Sequence, residues 1–492
     1  MAGSNINNPL RIAEIETVPG GGRIGITFCP GKKQNDGLSG RHDRDLTEDL
    51  DAIARWNAAA VVTLTEQFEL EDLQVPTLGE EVRRRFMEWH HWPISDYSIP
   101  DTAFEAVWPE NSRRLRNLLE AGSRILIHCK GGLGRAGMVA ARLLVEMGDT
   151  PQVAMECVRA KRDPRAIETR EQERWVEGGT TAAHRAIQTF EPAMRDRAVG
   201  TLVGLAIGDA VGTTLEFSEK PDRAVLYDMM GGGPFGLEAG QWTDDTAMAL
   251  ALGDSLLERG EFYPADLMRR FVDWHENGTY SCTGTCFDIG MQTRNALDRF
   301  RHSGHPLAGS ADPRHSGNGA LMRLSPVAIR HWDDRTRLRD VAERQTCVTH
   351  GSPETIEASL IFAEMLADAI EGRPLPEVLD SPAARRIKGG WRGTHRDEIR
   401  GSGYVVHALQ AAVWAVARTT SFRSAILLAA NLGEDADTTA AIAGQLAGAI
   451  YGRSAIPKEW LQKLAWRERI EDTAVRLFAE SAGRSGSLAK SL

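Results

Sequence analysis

Two short acidic turns, almost two hundred residues apart, each open an apolar helix, and together they constrain this chain more than any other feature. The first is Gln241-Trp242-Thr243-Asp244-Asp245-Thr246, ahead of the run from Ala247 to Leu257. The second is Asp435-Ala436-Asp437-Thr438-Thr439. Either one alone reads as a helix cap, because Thr and Asp satisfy orphan N–H groups and suit the positive end of the helix dipole. Capping explains each turn separately and leaves the pairing unexplained. Two sets of hard oxygen donors are what a pair of Mg²⁺ or Mn²⁺ ions needs.

At 492 residues the chain is too long for one ordinary core, so two or three domains are expected. The periodicity changes near residue 180. Before it, the strand-like runs Arg23–Phe28, Ala58–Leu64 and Arg124–Ile127 alternate with helix candidates. These helices end at Trp56 after an opening at Thr47, span Pro109–Leu119, and run from Met138 to Met147. That alternation predicts an α/β domain over 1–180 with a mostly parallel central sheet flanked by helices, after a loose lead-in over 1–22. Gly178-Gly179-Thr180-Thr181 breaks the pattern, and a short helix candidate, His184–Thr189, falls in a linker placed at 181–193. From 194 to 480 strand-like runs nearly vanish and apolar residues recur at helical spacing, which predicts an all-α domain. Its first helix carries Gly204, Gly208 and Gly212, each costing about 1 kcal/mol unless close packing requires it. The Ser/Gly-rich end, 481–492, is expected to be a disordered tail.

The formal charge of −10 argues against general affinity for nucleic acid or an anionic membrane, though a local basic pocket remains open. Six scattered cysteines suit a reducing compartment without a disulfide framework. No signal segment and no apolar run of membrane-spanning length stands out, so the expected location is cytoplasmic.

The strand ending at Ile127 runs into His128-Cys129-Lys130-Gly131-Gly132-Leu133-Gly134-Arg135-Ala136-Gly137 and then a helix. A Gly-rich turn between strand and helix exposes successive N–H groups, and a phosphate dianion fits there. Those donors and the Arg135 guanidinium would stabilise a Cys129 thiolate, and Arg135 can grip two phosphate oxygens at once. The stretch from His128 to Arg135 resembles the signature of the protein tyrosine and dual-specificity phosphatases, most of all the cyclin-dependent kinase-associated phosphatase branch. Pro93-Ile94-Ser95-Asp96, followed by Pro100-Asp101, resembles that branch's general-acid loop. The resemblance implies attack by Cys129 on phosphorus within a cradle of Lys130, Gly131, Gly132, Leu133, Gly134 and Arg135. Asp96 would protonate the leaving oxygen, with Asp101 as the rival acid. Ala136 stands where the family has Ser or Thr, which predicts slower breakdown of the phosphoenzyme. Gln172 lies in a polar helix and reads as a solvated face, with water positioning as the alternative.

In the second half, Gly208-Asp209, Gly212, Glu216, Thr243-Asp244-Asp245, Gly317-Asn318-Gly319, Thr349-His350, Ser402-Gly403-Tyr404 and Asp435-Ala436-Asp437-Thr438 follow one another in order. This series resembles the ADP-ribosylglycohydrolase family. The resemblance implies an all-α fold holding two divalent cations, Mg²⁺ or Mn²⁺, on Thr243, Asp244, Asp245, Asp435, Asp437 and Thr438. Glu216 would be a metal ligand or the acid–base group that prepares water. Asp288 would contact ribose or cap a helix. Gly317, Asn318 and Gly319 would approach the pyrophosphate or form a plain turn. His350 would contact the ligand or be structural, and Tyr404 would stack on adenine or simply pack. Glu434 departs from the family's usual Gly before the last acidic turn.

The expected function is a bifunctional hydrolase: release of ADP-ribose from an N- or O-glycosidic linkage, plus cysteine-dependent phosphate monoester hydrolysis. The substrates would be ADP-ribosylated protein or nucleic acid, or free ADP-ribose derivatives, together with a phosphorylated substrate. The two reactions act in sequence on one phosphorylated ADP-ribosyl compound, or independently on one target. The competing class is a sensor that binds ADP-ribose or phosphate with little turnover, and six oxygen ligands argue against it.

Overall fold

A computed structural model describes residues 9–18, 20–37, 40–178 and 190–488. It contains two compact units. One comprises Met1–Ala186 with Asp222–Ala224 and Arg418–Thr420; the other comprises Ile187–Pro221, Val225–Ala417 and Ser421–Leu492.

The first unit is built on strands β1 (Ala13–Glu16), β2 (Arg23–Phe28), β3 (Lys33–Gly37), β4 (Gly40–Asp43), β5 (Ala58–Thr63), β6 (Glu88–His91) and β7 (Arg124–Cys129). Five of them form one sheet in the order β1-β2-β7-β5-β6, and β3 pairs with β4 separately. In that sheet the edge strand β1 runs antiparallel to β2, and β2, β7, β5 and β6 run parallel to one another. The strands with continuous apolar runs, β5 and β7, lie inside the sheet, where both faces are covered. The parallel register sets Phe28 beside Cys129, so the central strand delivers the cysteine to the sheet's C-terminal edge, where open α/β sheets bind ligands.

Several details differ from the sequence expectations. The lead-in carries β1, because Ala13 and Ile15 alternate with Glu14 and Glu16 and bury against β2. The helix expected from Pro109 starts at Thr102, capped by the Asp101 carboxylate, which accepts from the Phe104 N–H at 2.8 Å. Pro109 therefore sits inside that helix, on its exposed side. The helix expected from Met138 begins at Gly134, so Gly134 and Arg135 form its first turn. Strand β6, with mixed Glu, Trp and His residues, has no apolar period to reveal it.

Among the described residues of the second unit the regular secondary structure is helical, joined by loops and isolated bridges. Its centre is the antiparallel contact between helices Phe190–Gly212 and Ala436–Tyr451. Gly200, Gly204, Gly208 and Gly212 lie against the backbone of Gly448, Gly444, Ala440 and Ala436, and a Cβ at any of the four would strike a carbonyl oxygen. The expected close packing is thus glycine against main chain. By length and composition the helix span Ala193–Leu215 is apolar enough to cross a membrane, contrary to the sequence expectation, but 89% of that window is buried within the protein. The helix starts at Phe190, inside the expected linker; residues 181–189, with the His184–Thr189 candidate, lie outside the described residues. The expected disordered tail is corrected as far as Leu488, because the helix Arg467–Leu488 runs through it. Leu477 and Phe478 are buried, and the buried Ser481 hydroxyl donates to Asp333 at 2.8 Å. Residues 489–492 lie outside the described residues.

Candidate active sites

Strand β7 ends at Cys129, which is buried at the base of the Gly-rich turn. Its Sγ accepts the Gly132 N–H at 3.2 Å. The turn's carbonyls are engaged elsewhere: Lys32 Nζ donates to Lys130 O at 3.3 Å, while Arg162 donates to Gly132 O at 2.8 Å and Gly131 O at 3.1 Å. With those oxygens held, the Gly132 N–H faces the cysteine. Gly132 has φ +69°, and a Cβ there would collide with the Thr27 carbonyl.

Arg135 is buried and spread across three acceptors. It donates to both Glu69 oxygens, at 2.6 and 3.0 Å, and to the Ile94 carbonyl at 2.9 Å. It also lies 2.9 Å from the Asp96 carboxylate. Burial opposes the Glu69 charge, yet the Arg135 and Glu66 hydrogen bonds hold its carboxyl below the ordinary value. Asp96, half exposed, joins Cys129, Lys130, Gly131, Leu133 and Arg135 around a cavity of about 290 Å³. Asp101 is not on that wall, since its carboxylate serves as the helix cap. Lys32, Gln34, Tyr97, Arg165 and Glu168 complete the lining, so the acidic chain does carry a basic pocket.

The solvated reading of Gln172 is overturned: the residue is fully buried, with Oε1 accepting the Glu168 N–H at 2.9 Å and Nε2 donating to Ser98 O at 3.2 Å. It ties the Asp96 loop to the helix Arg170–Glu177. Sequence reasoning missed Lys32, Glu69 and Arg162, whose partners are distant in sequence and unmarked by any local pattern.

In the second unit the two acidic turns converge. Thr243 Oγ1 lies 3.0 Å from Asp437 Oδ2, and Thr438 Oγ1 donates to Asp245 Oδ2 at 3.2 Å. Asp209, buried beneath them, accepts the N–H and hydroxyl of both Thr243 and Thr246 at 2.6–3.0 Å. The N–H groups of Thr243 and Thr246 are therefore satisfied by Asp209 and make no demand on Asp244 or Asp245. Glu216, just past the glycine helix, accepts the N–H groups of Ala436 at 2.7 Å and Asp437 at 3.3 Å. One oxygen each of Glu216, Asp435 and Asp437 lies within 4.8 Å of the others.

Packing this many acids together is unfavourable without a cation. Burial, then the charge of Asp437, pushes Glu216 up to about 12 and Asp435 up to about 7. Burial and the charges of Asp244 and Asp437 push Asp288 up to about 11. Asp245 Oδ1 is buried without a hydrogen-bond partner. Hard carboxylate and hydroxyl oxygens, crowded and under-satisfied, fit a divalent-cation centre.

A cavity of about 600 Å³ opens above this floor, lined among others by Glu216, Asp244, Asp288, Gly317, Asn318, Gly319, His350, Asp435, Asp437 and Thr438. Thr243 and Asp245 sit behind that wall. Asn318 Nδ2 donates to Asp435 at 2.9 Å, so it holds an acidic turn in place. His350 is buried against Thr349, and burial pushes it down to about 3, which keeps it neutral. Gly319 leaves room for its ring: a Cβ there would lie 2.8 Å from His350 Cε1. Tyr404 is not on the wall. Its hydroxyl donates to Glu354 at 2.8 Å and its ring meets His407 edge-on.

Residues 191–486 match the family model described as ADP-ribosylglycohydrolase, and residues 38–177 match that of a Swiss Army Knife protein DSP-PTPase phosphatase domain. An ADP-ribosylarginine hydrolase Tri1 from Pseudomonas putida (strain GB-1) is 47% identical over 293 residues, covering 58% of this chain and 78% of that protein. Cyclin-dependent kinase inhibitor 3 of Rattus norvegicus is 32% identical over 148 residues, covering 30% of this chain and 66% of that protein. A solved ADP-ribosylglycohydrolase-related protein complex matches with a TM-score of 0.52 and 40% identity, over 59% of this chain and 99% of that one. Both halves thus place the chain among the hydrolases. Within that class it belongs to the ADP-ribosylglycohydrolase family, with a dual-specificity-phosphatase-like α/β domain ahead of the glycohydrolase domain.

Proposed function

We propose that the second unit releases ADP-ribose from arginine side chains of proteins, and that the first unit hydrolyses a phosphate monoester. The observation that carries the first reading is the convergence of Glu216, Asp244, Asp435 and Asp437 on one cavity floor, with Asp245 directly behind it. The arginine linkage is suggested by the 47% identical relative, whose name specifies ADP-ribosylarginine. Thr243, Asp244, Asp245, Asp435, Asp437 and Thr438 would hold two divalent cations, Mg²⁺ or Mn²⁺. When bound, such ions would supply Lewis-acid polarisation of the oxygens they hold. Glu216, its carboxyl shifted up by burial, carries or accepts a proton as water adds to the anomeric carbon. Asp288 faces the same space and would meet the ribose. Neutral His350 offers a ring nitrogen to the ligand. Incubation of ADP-ribosylarginine protein with Mn²⁺ or Mg²⁺ is expected to release free ADP-ribose. Absence of release with either ion, by an enzyme that still binds ADP-ribose, would overturn the reading and leave the sensor alternative.

In the first unit, Cys129 attacks phosphorus while Arg135 and the N–H groups of the turn hold the equatorial oxygens. Asp96 gives its proton to the leaving oxygen, and water then cleaves the thiophosphate. Asp96→Asn is expected to lower turnover of an alkyl phosphate by about 10²–10⁴-fold, with a smaller loss for an aryl phosphate whose leaving group needs no proton. Equal losses on both would remove Asp96 from the acid role. Ala136 is buried at the head of the helix and offers no hydroxyl to the departing sulfur. Ala136→Ser is therefore expected to speed phosphoenzyme breakdown, seen as a smaller burst and a faster steady state.

Each cavity is lined by residues of its own unit, so each carries its own set of reacting groups. Independent reversal of two modifications is the reading this favours. A compound phosphorylated on its ADP-ribosyl group and processed only in one fixed order would establish the sequential scheme instead.

A further inference from the structure

Three non-glycine residues at the glycohydrolase cavity, Phe217, Asp288 and Glu434, share a left-handed backbone with φ +59°. Non-glycine residues are held in that conformation where surrounding structure over-determines them, often at ligand sites. Phe217 and Glu434 are also joined to each other. The Phe217 N–H donates to Glu434 O at 2.7 Å, and the Glu434 N–H donates to Ser218 O at 2.8 Å. Each is also the chain neighbour of a floor residue, Phe217 of Glu216 and Glu434 of Asp435. The pair therefore stands one residue, about 3.8 Å of backbone, from the acidic groups.

The chemistry of the pair is specific. Phe217 leaves 68% of its surface exposed at the cavity wall, with its ring steadied edge-on by Phe235 at 6.1 Å. Glu434 already holds a guanidinium: Arg400 donates to it through Nε at 3.3 Å and Nη2 at 3.2 Å. Those bonds are long, and the Arg400 side chain is 58% exposed, so an incoming guanidinium can take its place. A planar guanidinium stacks on aromatic rings and fits a carboxylate with two parallel N–H bonds.

We propose that Phe217 and Glu434 form the acceptor subsite, binding the guanidinium of the ADP-ribosylated arginine between ring and carboxylate. This rests on the arginine reading above. The scissile bond joins the anomeric carbon to a guanidinium nitrogen, so this subsite must adjoin the acidic floor, as these residues do. An acceptor joined through a hydroxyl offers no group that would use either contact.

The test compares Phe217→Leu and Glu434→Gln with wild type on ADP-ribosylarginine, using free ADP-ribose as a ligand that lacks the acceptor. Each variant is expected to raise KM for ADP-ribosylarginine about tenfold, while the dissociation constant for ADP-ribose by calorimetry stays unchanged. Methylguanidine is expected to inhibit the wild type competitively and to lose potency against both variants. Wild-type KM in both variants would overturn the subsite, and so would equal weakening of ADP-ribose and ADP-ribosylarginine. A wild type that binds ADP-ribose but never cleaves the arginine linkage would instead overturn the arginine reading, and the subsite with it.

Discussion

Asp437→Ala is expected to reduce release of ADP-ribose by about 10³-fold, as loss of roughly 4 kcal/mol of metal-derived transition-state stabilisation implies. The side chain is 1% exposed and occupies the point where the two acidic turns meet. Its Oδ2 lies 3.0 Å from the Thr243 hydroxyl, its Oδ1 accepts the Thr438 N–H at 2.6 Å, and its charge bears on Asp209, Glu216, Asp244, Asp245, Asp288 and Asp435. That burden gives the variant a signature separate from misfolding. Removing one of several crowded acids relieves repulsion, so the metal-free variant is expected to melt no lower than metal-free wild type. In the wild type, Mn²⁺ at a hundred times its dissociation constant should add about 2.7 kcal/mol of stability. Asp437→Ala should lose most of that increment. Thermal melts with Mn²⁺ and with chelator read both effects without reference to turnover. A variant that kept the full metal response would place the ions elsewhere.

How far the sequence revealed this site depended on what kind of information each part needed. The acidic turns were legible because recurrence of one device at two helix starts exceeds what capping requires. The helical and α/β halves were legible because their apolar periods differ. The two acid candidates were ambiguous in sequence, since Asp96 and Asp101 stand in similar Pro-containing turns; their surroundings differ in the fold, with Asp96 on the cavity wall and Asp101 capping a helix. Gln172 misled because its helix is polar in composition, whereas burial is set by what that face meets, here the Ser98 carbonyl and the Glu168 N–H. Asp209 was visible only as part of a motif. Its work, bonding the two threonines that flank Asp244 and Asp245, is a contact across dozens of residues. Lys32, Glu69 and Arg162 were silent for the same reason. Tyr404 was offered two readings in sequence, stacking or packing, and its ring lies off the cavity wall with its hydroxyl on Glu354.

The glycine seam beneath the acidic floor gives the second large effect. Gly208→Ala in an ordinary exposed helix would stabilise by about 1 kcal/mol, because alanine is the better helix former. Here the sign should reverse. The added Cβ would land on the Ala440 carbonyl oxygen, with the Ala440 carbonyl carbon at 2.5 Å and Ala441 Cα at 2.9 Å, all of them backbone that no rotamer can move. The two helices must separate, and overpacking of this kind costs about 1–3 kcal/mol or more. Gly208→Leu should exceed that and prevent folding. The alanine variant tells more, because it should fold and still lose function. Glu216 meets Ala436 and Asp437 at the end of this same seam, at 2.7 and 3.3 Å, so a shift between the helices moves the Glu216 carboxyl relative to the acidic turns. A displacement of about 1 Å at a reacting group can cost 10²-fold in rate. Urea midpoints and turnover per folded molecule, measured together, are expected to fall together. An alanine at 208 that raised the midpoint as its helix propensity predicts would mean that the two helices do not touch there, and that the glycines answer to something other than contact.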